Sequence, residues 1–236
     1  MSTKGESKSS KAISMPKQIN LGRKGNYWTI KAKSGPHDKE TSMALGLVIR
    51  DFAKVATTLR EAKEILNNGE VKVNGVIRTS HQFPTGIFDV VSIENQKLYF
   101  RILLDDKQRL LVKKLDKNSL EKVSKVTSKT MTGKGIQITT NDGRVYTGVK
   151  ASVGDSLKIK LPEGKVEEVL EFKEGAVAYL TKGAHCSEMA NVKGIVEGTA
   201  RRAKLVKLSN EKEDFETIAE NVFVIGKGKA ALMEMH

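Results

Sequence analysis

Residues 59–75 (LREAKEILNNGEVKVNG) change hydrophobic period in mid-course, from that of a helix to that of a strand. Leu59, Ala62, Ile65 and Leu66 recur at helical spacing. Thr58 followed three residues later by Glu61 has the form of a capping box, so the helix is predicted to start there. Gly69 stands just past the last periodic residue, where a left-handed cap favours glycine. The period then becomes two, with Val71 and Val73 on one side of a strand and Lys72 and Asn74 on the other. Asn74-Gly75 suits a type I′ turn, which needs positive φ at both central residues. Arg60, Lys63 and Lys72 remain on the polar side. The stretch thus predicts a small core with cations outside it, and it contains no acid–base or nucleophilic pair.

Charge sets the class of partner. Of 236 residues, 41 are Lys or Arg and 28 are Asp or Glu, a formal net charge of +13. A field of this sign concentrates polyanions, nucleic acid first and an acidic membrane surface second. Residues 1–40 hold nine Lys/Arg against three acids, so nearly half the net charge lies in a basic arm on a weakly basic body. No apolar run approaches the roughly 18 residues of a membrane helix, and no secretory signal opens the chain. The lone cysteine, Cys186, excludes an internal disulfide framework. These features predict a cytosolic protein.

Residues 1–20 are rich in Ser and Lys and poor in apolar side chains, a composition expected to be disordered in the free protein. In 21–41, Arg23, Lys24, Lys31 and Lys33 interleave with Tyr27, Trp28 and Ile30 ahead of Gly35-Pro36-His37. Aromatic rings among cations suit RNA, stacking on bases while the cations meet phosphates. Tyr27 and Trp28 could equally tuck the arm against the next domain, and the two uses are compatible. Ser42 is placed to cap a helix with Leu45, Val48, Ile49 and Phe52 on one face and Arg50 and Lys54 on the other. Strands are predicted at 87–93 and 98–104, with Pro84 and Gly86 in the loop before them. Beyond Asp105 the pattern is all-β: 110–112, a helical turn capped by Asn118-Ser119, then 123–131, 135–140, 144–149, 156–161, 166–172, 175–181, 192–197, 201–208 and 221–225. Short strands at this spacing suggest a barrel or sandwich. The run 201–208 would show Arg201, Arg202, Lys204 and Lys207 partly on one face. The chain then ends in a basic stretch with Lys227 and Lys229.

Nothing in the chain assembles chemistry. The four histidines are far apart in sequence, and His185-Cys186 has no Cys-x-x-Cys or His-x-x-x-His beside it, so neither metal nor cofactor is expected. Carboxylate pairs such as Asp105-Asp106 fit strand ends and surfaces, and Asp89 fits a β-turn. No enzymatic activity and no small-molecule substrate are predicted.

The helix, Gly, x-Val-x-Val-Asn-Gly ending of LREAKEILNNGEVKVNGVIR resembles the core of the "S-four" RNA-binding domain. Ser34-Gly35-Pro36-His37 ahead of it, Pro84-x-Gly86-x-x-Asp89-Val90-Val91-Ser92-Ile93 at its end, Asp142-Gly143-Arg144, and Asn221-Val222-Phe223-Val224-Ile225-Gly226-Lys227-Gly228 follow in order. Over about residues 22–229 the chain is similar to the archaeal and eukaryotic family of small-subunit ribosomal protein four. The resemblance implies an α+β, mostly β chain: a small α/β S-four RNA-binding domain, a central β domain and a C-terminal SH3-like barrel with a KOW motif near 175–196. Together with the arm, the expected divisions are 1–41, 42–104, 105–171 and 172–236. Where the family has closely spaced glycines, this chain has Lys182-Gly183 and then AHCSEMANVK before Gly194, a longer loop. Thr58-Leu59-Arg60 stands where the domain often has Ser-Arg, displacing the guanidinium by one residue.

The implied function is a structural constituent of the small subunit, holding ribosomal RNA and neighbouring ribosomal proteins, with no membrane and no homo-oligomer. Arg50, Lys54, Arg60, Lys63, Lys72 and Arg78 are the expected contact face, with Asn74 offering an amide at the hairpin tip. Arg23, Lys24, Tyr27, Trp28, Lys31, Lys33 and His37 are the candidates in the arm, and Arg201, Arg202, Lys227 and Lys229 those beyond it. Two other readings fit the residues: a free-standing RNA-modification or quality-control factor, and an assembly module that uses its barrel for protein partners.

Overall fold

A computed structural model describes residues 9–116, 120–133, 135–199, 202–210, 213–227 and 229–230. Residues 1–8, the Asn118-Ser119 cap, Arg201 and the Lys229 side chain lie outside this description. The chain divides into two units, residues 1–103 with 109–114, and 104–108 with 115–236.

The first unit opens with β1 (Ser10–Lys11) paired to β2 (Trp28–Thr29). Residues 9–20 are therefore not a loose tail. Ala12, Met15 and Ile19 are buried, and Ile19 bridges Leu110, whose N–H donates to the Gln18 carbonyl at 2.6 Å. Three apolar side chains, spaced three and four apart, are enough to seat a polar segment.

The predicted helix capped by Ser42 is corrected. Residues Ser42–Ala44 form β3, paired to β6 (Pro84–Gly86), and the Ser42 hydroxyl donates to the Asp38 carbonyl. Only Leu45–Leu47 (α1) is α-helical before the chain widens into a π-helical turn over Val48–Phe52. The periodic residues Leu45, Val48 and Ile49 are buried all the same. Helix α2 (Leu59–Asn67) starts as predicted, with Thr58 accepting from the Glu61 N–H and Glu61 accepting from the Thr58 N–H. Gly69 has φ 75°, and the turn between β4 (Val71–Val73) and β5 (Val76–Ile77) has φ 51° at Asn74 and 81° at Gly75. Both positive values are what a type I′ turn demands. β4 pairs with β7 (Val90–Ile93), which pairs with β8 (Leu98–Leu104). With β9 (Leu110–Leu115) the sheet order is β5-β4-β7-β8-β9.

The second unit contains two sheets. One has β10 (Glu121–Thr132), β11 (Gly135–Thr140), β12 (Val145–Thr147), β13 (Ser156–Lys160) and β14 (Lys165–Leu170), in the order β12-β11-β10-β13-β14. Val126, Ile138, Ala151, Leu157 and Ile159 form its core. Inside it the Lys122 ammonium donates to Asp142 at 2.8 Å, both side chains almost fully buried, and Thr140 donates to the same carboxylate. The other sheet has β15 (Ala176–Leu180), β16 (Met189–Val196), β17 (Leu205–Ser209), β18 (Asp214–Ile218), β19 (Val222–Lys227) and β20 (Lys229–Ala230), ordered β18-β17-β16-β15-β19-β20. β18 is an edge strand that sequence patterning missed. The strand predicted at 201–208 begins only at Leu205, because its partner β16 ends at Val196. Lys125 of β10 joins the two sheets, its ammonium donating to the carbonyls of Ala219 (2.8 Å), Glu220 (3.1 Å) and Val222 (2.8 Å). Burial holds its pKa down to about 8.

The long loop after β15 is pinned rather than open. His185 stacks on Phe215, ring centroids 4.1 Å apart, and Cys186 is buried with its thiol facing the Thr181 carbonyl.

Candidate nucleic-acid interface

In the first unit, exposed cations lie in the arm and on α2. In the arm, Tyr27 and Trp28 are 64% and 54% exposed, their rings edge to face at 5.0 Å, with the Lys11 ammonium 5.2 Å from the Tyr27 ring centre. The rings therefore do not seat the arm; Ala12, Met15, Ile19 and Ile30 do. Arg23 is half-buried and Lys24 exposed in the loop before these rings. Lys31 is half-buried, and exposed Lys33 is fixed by its backbone N–H, which donates to the Gln82 carbonyl at 2.9 Å.

That hydrogen bond places the arm beside the 81–83 loop, whose His81 and Phe83 carbonyls also accept from the Gly46 and Leu45 N–H groups. The His81 imidazole there has its pKa lowered, first by burial and then by the positive charges of Lys63 and Lys33. Lys63 lies on the exposed side of α2, and Lys33 belongs to the arm. Arg60, one turn before Lys63 on α2, is exposed and makes no ion pair among the described residues. Arg78, half-buried, lays its guanidinium over Phe83 at 4.5 Å. Sequence reading missed His81; only its place in the folded loop marks it.

Four of the expected contact residues have intramolecular partners. Asn74 does sit at the hairpin turn, but its amide is buried: Nδ2 donates to Asp89 Oδ1 at 2.8 Å, and Oδ1 accepts from the Val90 N–H at 2.9 Å. His37 is turned inward, Nε2 donating to Asp89 Oδ2 at 2.9 Å. Asp89 accepts in addition from the Gly86 N–H at 2.9 Å. These side chains form a clasp that ties His37 to the five-stranded sheet of the first unit. Gly35 and Gly86 leave room for it, since a Cβ at Gly35 would meet Pro84 at 2.5 Å and one at Gly86 would meet His37 at 2.5 Å. Arg50 folds back on Asp51 through two hydrogen bonds of 3.0 and 2.8 Å, and Lys72 pairs with Glu94 at 2.6 Å. Lys54 is exposed, but with φ 53° it follows the π-helical turn and shares no helical face with Arg50.

In the second unit Arg202 is exposed and bridges Thr199 through its backbone. Lys227 is exposed, with Glu168 3.9 Å away. Lys204 and Lys207 pair with Glu197 and Glu216. Among the described residues, no cluster of His, Cys, Asp or Glu has the composition to hold a metal, and no helix is long and apolar enough to cross a membrane.

Comparison with known proteins gives this arrangement its context. The model of the ribosomal family S4e matches residues 96–166. Small ribosomal subunit protein eS4 of Archaeoglobus fulgidus is 37% identical over 219 residues, covering 92% of each chain. That of Methanosphaera stadtmanae is 36% identical over 235 residues, covering 98% of each. The crystal structure of 30S ribosomal protein S4e from Thermoplasma acidophilum superposes with a TM-score of 0.67 at 31% identity, covering 80% of this chain and 97% of that one. These relatives define a class, the structural proteins of the small ribosomal subunit, which are not enzymes. The chain belongs to the S4e family. The family resemblance drawn from the signature residues is thereby borne out.

Proposed function

We propose that this chain binds ribosomal RNA as a structural constituent of the small subunit of the cytoplasmic ribosome, by phosphate contacts and by shape. The observation that carries the reading is the pair Arg60 and Lys63, both exposed and one turn apart on α2, with no counter-charge on Arg60 among the described residues. Like charges one helical turn apart oppose one another unless a polyanion lies over them, and releasing condensed counterions from RNA then drives association. The contact set is Arg23, Lys24, Tyr27, Trp28, Lys31, Lys33, Lys54, Arg60, Lys63 and Arg78, joined by Arg202 and Lys227; His37, Arg50, Lys72 and Asn74 leave it for their intramolecular partners. A-form RNA hides its base edges in a deep groove, so backbone and 2′-hydroxyl contacts dominate, with the Tyr27 and Trp28 rings stacking on unpaired bases. The first unit acts as the S-four domain. In the second, the five-stranded sheet is the central β domain and the six-stranded sheet the SH3-like KOW barrel, supplying surfaces for neighbouring ribosomal proteins.

Filter binding of small-subunit rRNA by the full chain tests the reading. Arg60→Glu with Lys63→Glu should weaken binding about tenfold or more and flatten the salt dependence by roughly one unit of log–log slope for each phosphate no longer neutralised. Unchanged affinity with an unchanged slope removes α2 from the interface.

A further inference from the structure

The β10–β11 ribbon carries a surface that the contacts above leave unused. β10 pairs with β13 only through Glu121–Lys125, and beyond the irregularity between Val126 and Ser128 it is held by β11 alone. The ribbon is rooted in the core by Val126 and Ile138. From Thr127 to Met131 every residue is exposed, so both faces of this part of the strand stand in solvent; Met131 is 86% exposed.

Register sorts the side chains. Residues directly opposite in an antiparallel pair share a face, and alternate residues along a strand do too. Ser128 opposes Thr139, Thr130 opposes Gln137, and Gln137 opposes Thr147 of β12. One face is thus a lattice of hydroxyl and amide groups, Ser128, Thr130, Gln137, Thr139 and Thr147, with Val145 beside Thr139. The Ser128 and Thr130 hydroxyls make no hydrogen bond among the described residues. Lys129, exposed and without an ion pair among the described residues, projects from the opposite face at the ribbon's free edge. From Lys122 through Asn141 the sequence contains no Asp or Glu.

We propose that this face is a second RNA contact, which lies on the wide, shallow minor groove of an rRNA helix. It rests on the reading of the chain as an rRNA-binding protein and adds the mode of recognition. A 2′-hydroxyl both donates and accepts, and so do Ser and Thr hydroxyls and the Gln amide, so the lattice meets a row of sugars without needing a base sequence. The acid-free strands put no negative charge against the phosphates, and Lys129 reaches the flanking strand as a point charge. The same face offers a protein strand no charge pairing among its side chains, and Val145 is its one apolar side chain.

Filter binding with the full chain and transcribed small-subunit rRNA tests it, using Thr130→Glu with Gln137→Glu, Lys129→Gln, and Lys63→Glu as the reference for α2. The double variant should weaken binding about tenfold, and Lys129→Gln about two- to fivefold with the salt slope reduced by about one. Lys129 and Thr130 are exposed and Gln137 is half-buried at the surface, so melting should change little. If a variant melts early, selective acylation of 2′-hydroxyls in the wild-type complex reads the same contact as a run of protected sugars in one duplex. Ribbon variants that bind as wild type while Lys63→Glu weakens would overturn the ribbon contact and leave the rRNA reading intact. Wild-type chain that fails to bind the rRNA would overturn both. Variants that bind rRNA normally yet lose a neighbouring ribosomal protein from reconstituted subunits would reassign the face to protein docking.

Discussion

Gly86→Ala is the sharpest probe of the clasp around Asp89. A Cβ there would lie 2.5 Å from His37 Cγ and Nδ1 and 2.8 Å from Cδ2. The imidazole must move, and its hydrogen bond to Asp89 breaks. A hydrogen bond to a charged partner contributes about 1.5–3 kcal/mol, and displaced ring packing adds to it, so the variant should cost about 2–4 kcal/mol. His37→Ala alone removes the same bond and ring for about 2 kcal/mol. In the double variant the new methyl occupies the space the ring vacated, and the total should return to about 2 kcal/mol, a coupling of about 2–4 kcal/mol. Urea titration followed by circular dichroism and by Trp28 fluorescence measures all three; Trp28, the single tryptophan, lies in the first unit and assigns the transition. If the two costs add to within about 0.5 kcal/mol, the ring and the glycine do not touch and the clasp is wrong.

Asn74→Ala should destabilise the first unit by about 2–4 kcal/mol in the same titration, since it removes two buried hydrogen bonds and keeps a non-glycine residue at φ 51°. Lys122→Met strands the Asp142 carboxylate beside Arg144, 3.8 Å away, and should cost the second unit about 3–5 kcal/mol by thermal melting; adding Asp142→Leu should recover much of it. Burial pushes the Cys186 thiol up to about 11 from an ordinary 9.0. The neutral thiol is thus favoured by the fold, a contribution complete below pH 9 and lost as pH rises through about 11. Iodoacetamide should accordingly label the native chain about a hundredfold more slowly at pH 8 than a free thiol, the rate rising about tenfold per pH unit toward 11.

What the sequence made legible was local. The capping box of Thr58 and Glu61, the Gly69 cap and the Asn74-Gly75 turn all depend on neighbours within a few residues, and all formed as predicted. Ser42 caps no helix because β3 finds its partner at Pro84–Gly86, and a distant ladder overrides a helical pattern. The candidate site divides in the same way. Arg60 and Lys63 follow from helical spacing alone. His37 and Asn74 look like free contacts in the sequence because the carboxylate that claims them lies 52 and 15 residues away. His81 escapes notice for the matching reason, since its significance comes from Lys33 of the arm and Lys63 of a different element. The signature residues Gly35, His37, Asn74, Gly86 and Asp89 carry the family resemblance, and they are internal joinery.

Lys125 has a mechanical consequence. One ammonium spans from the root of the exposed ribbon to the turn that precedes β19, so the ribbon and the barrel-like sheet are geared together. Whatever docks on the six-stranded sheet sets the attitude of the ribbon.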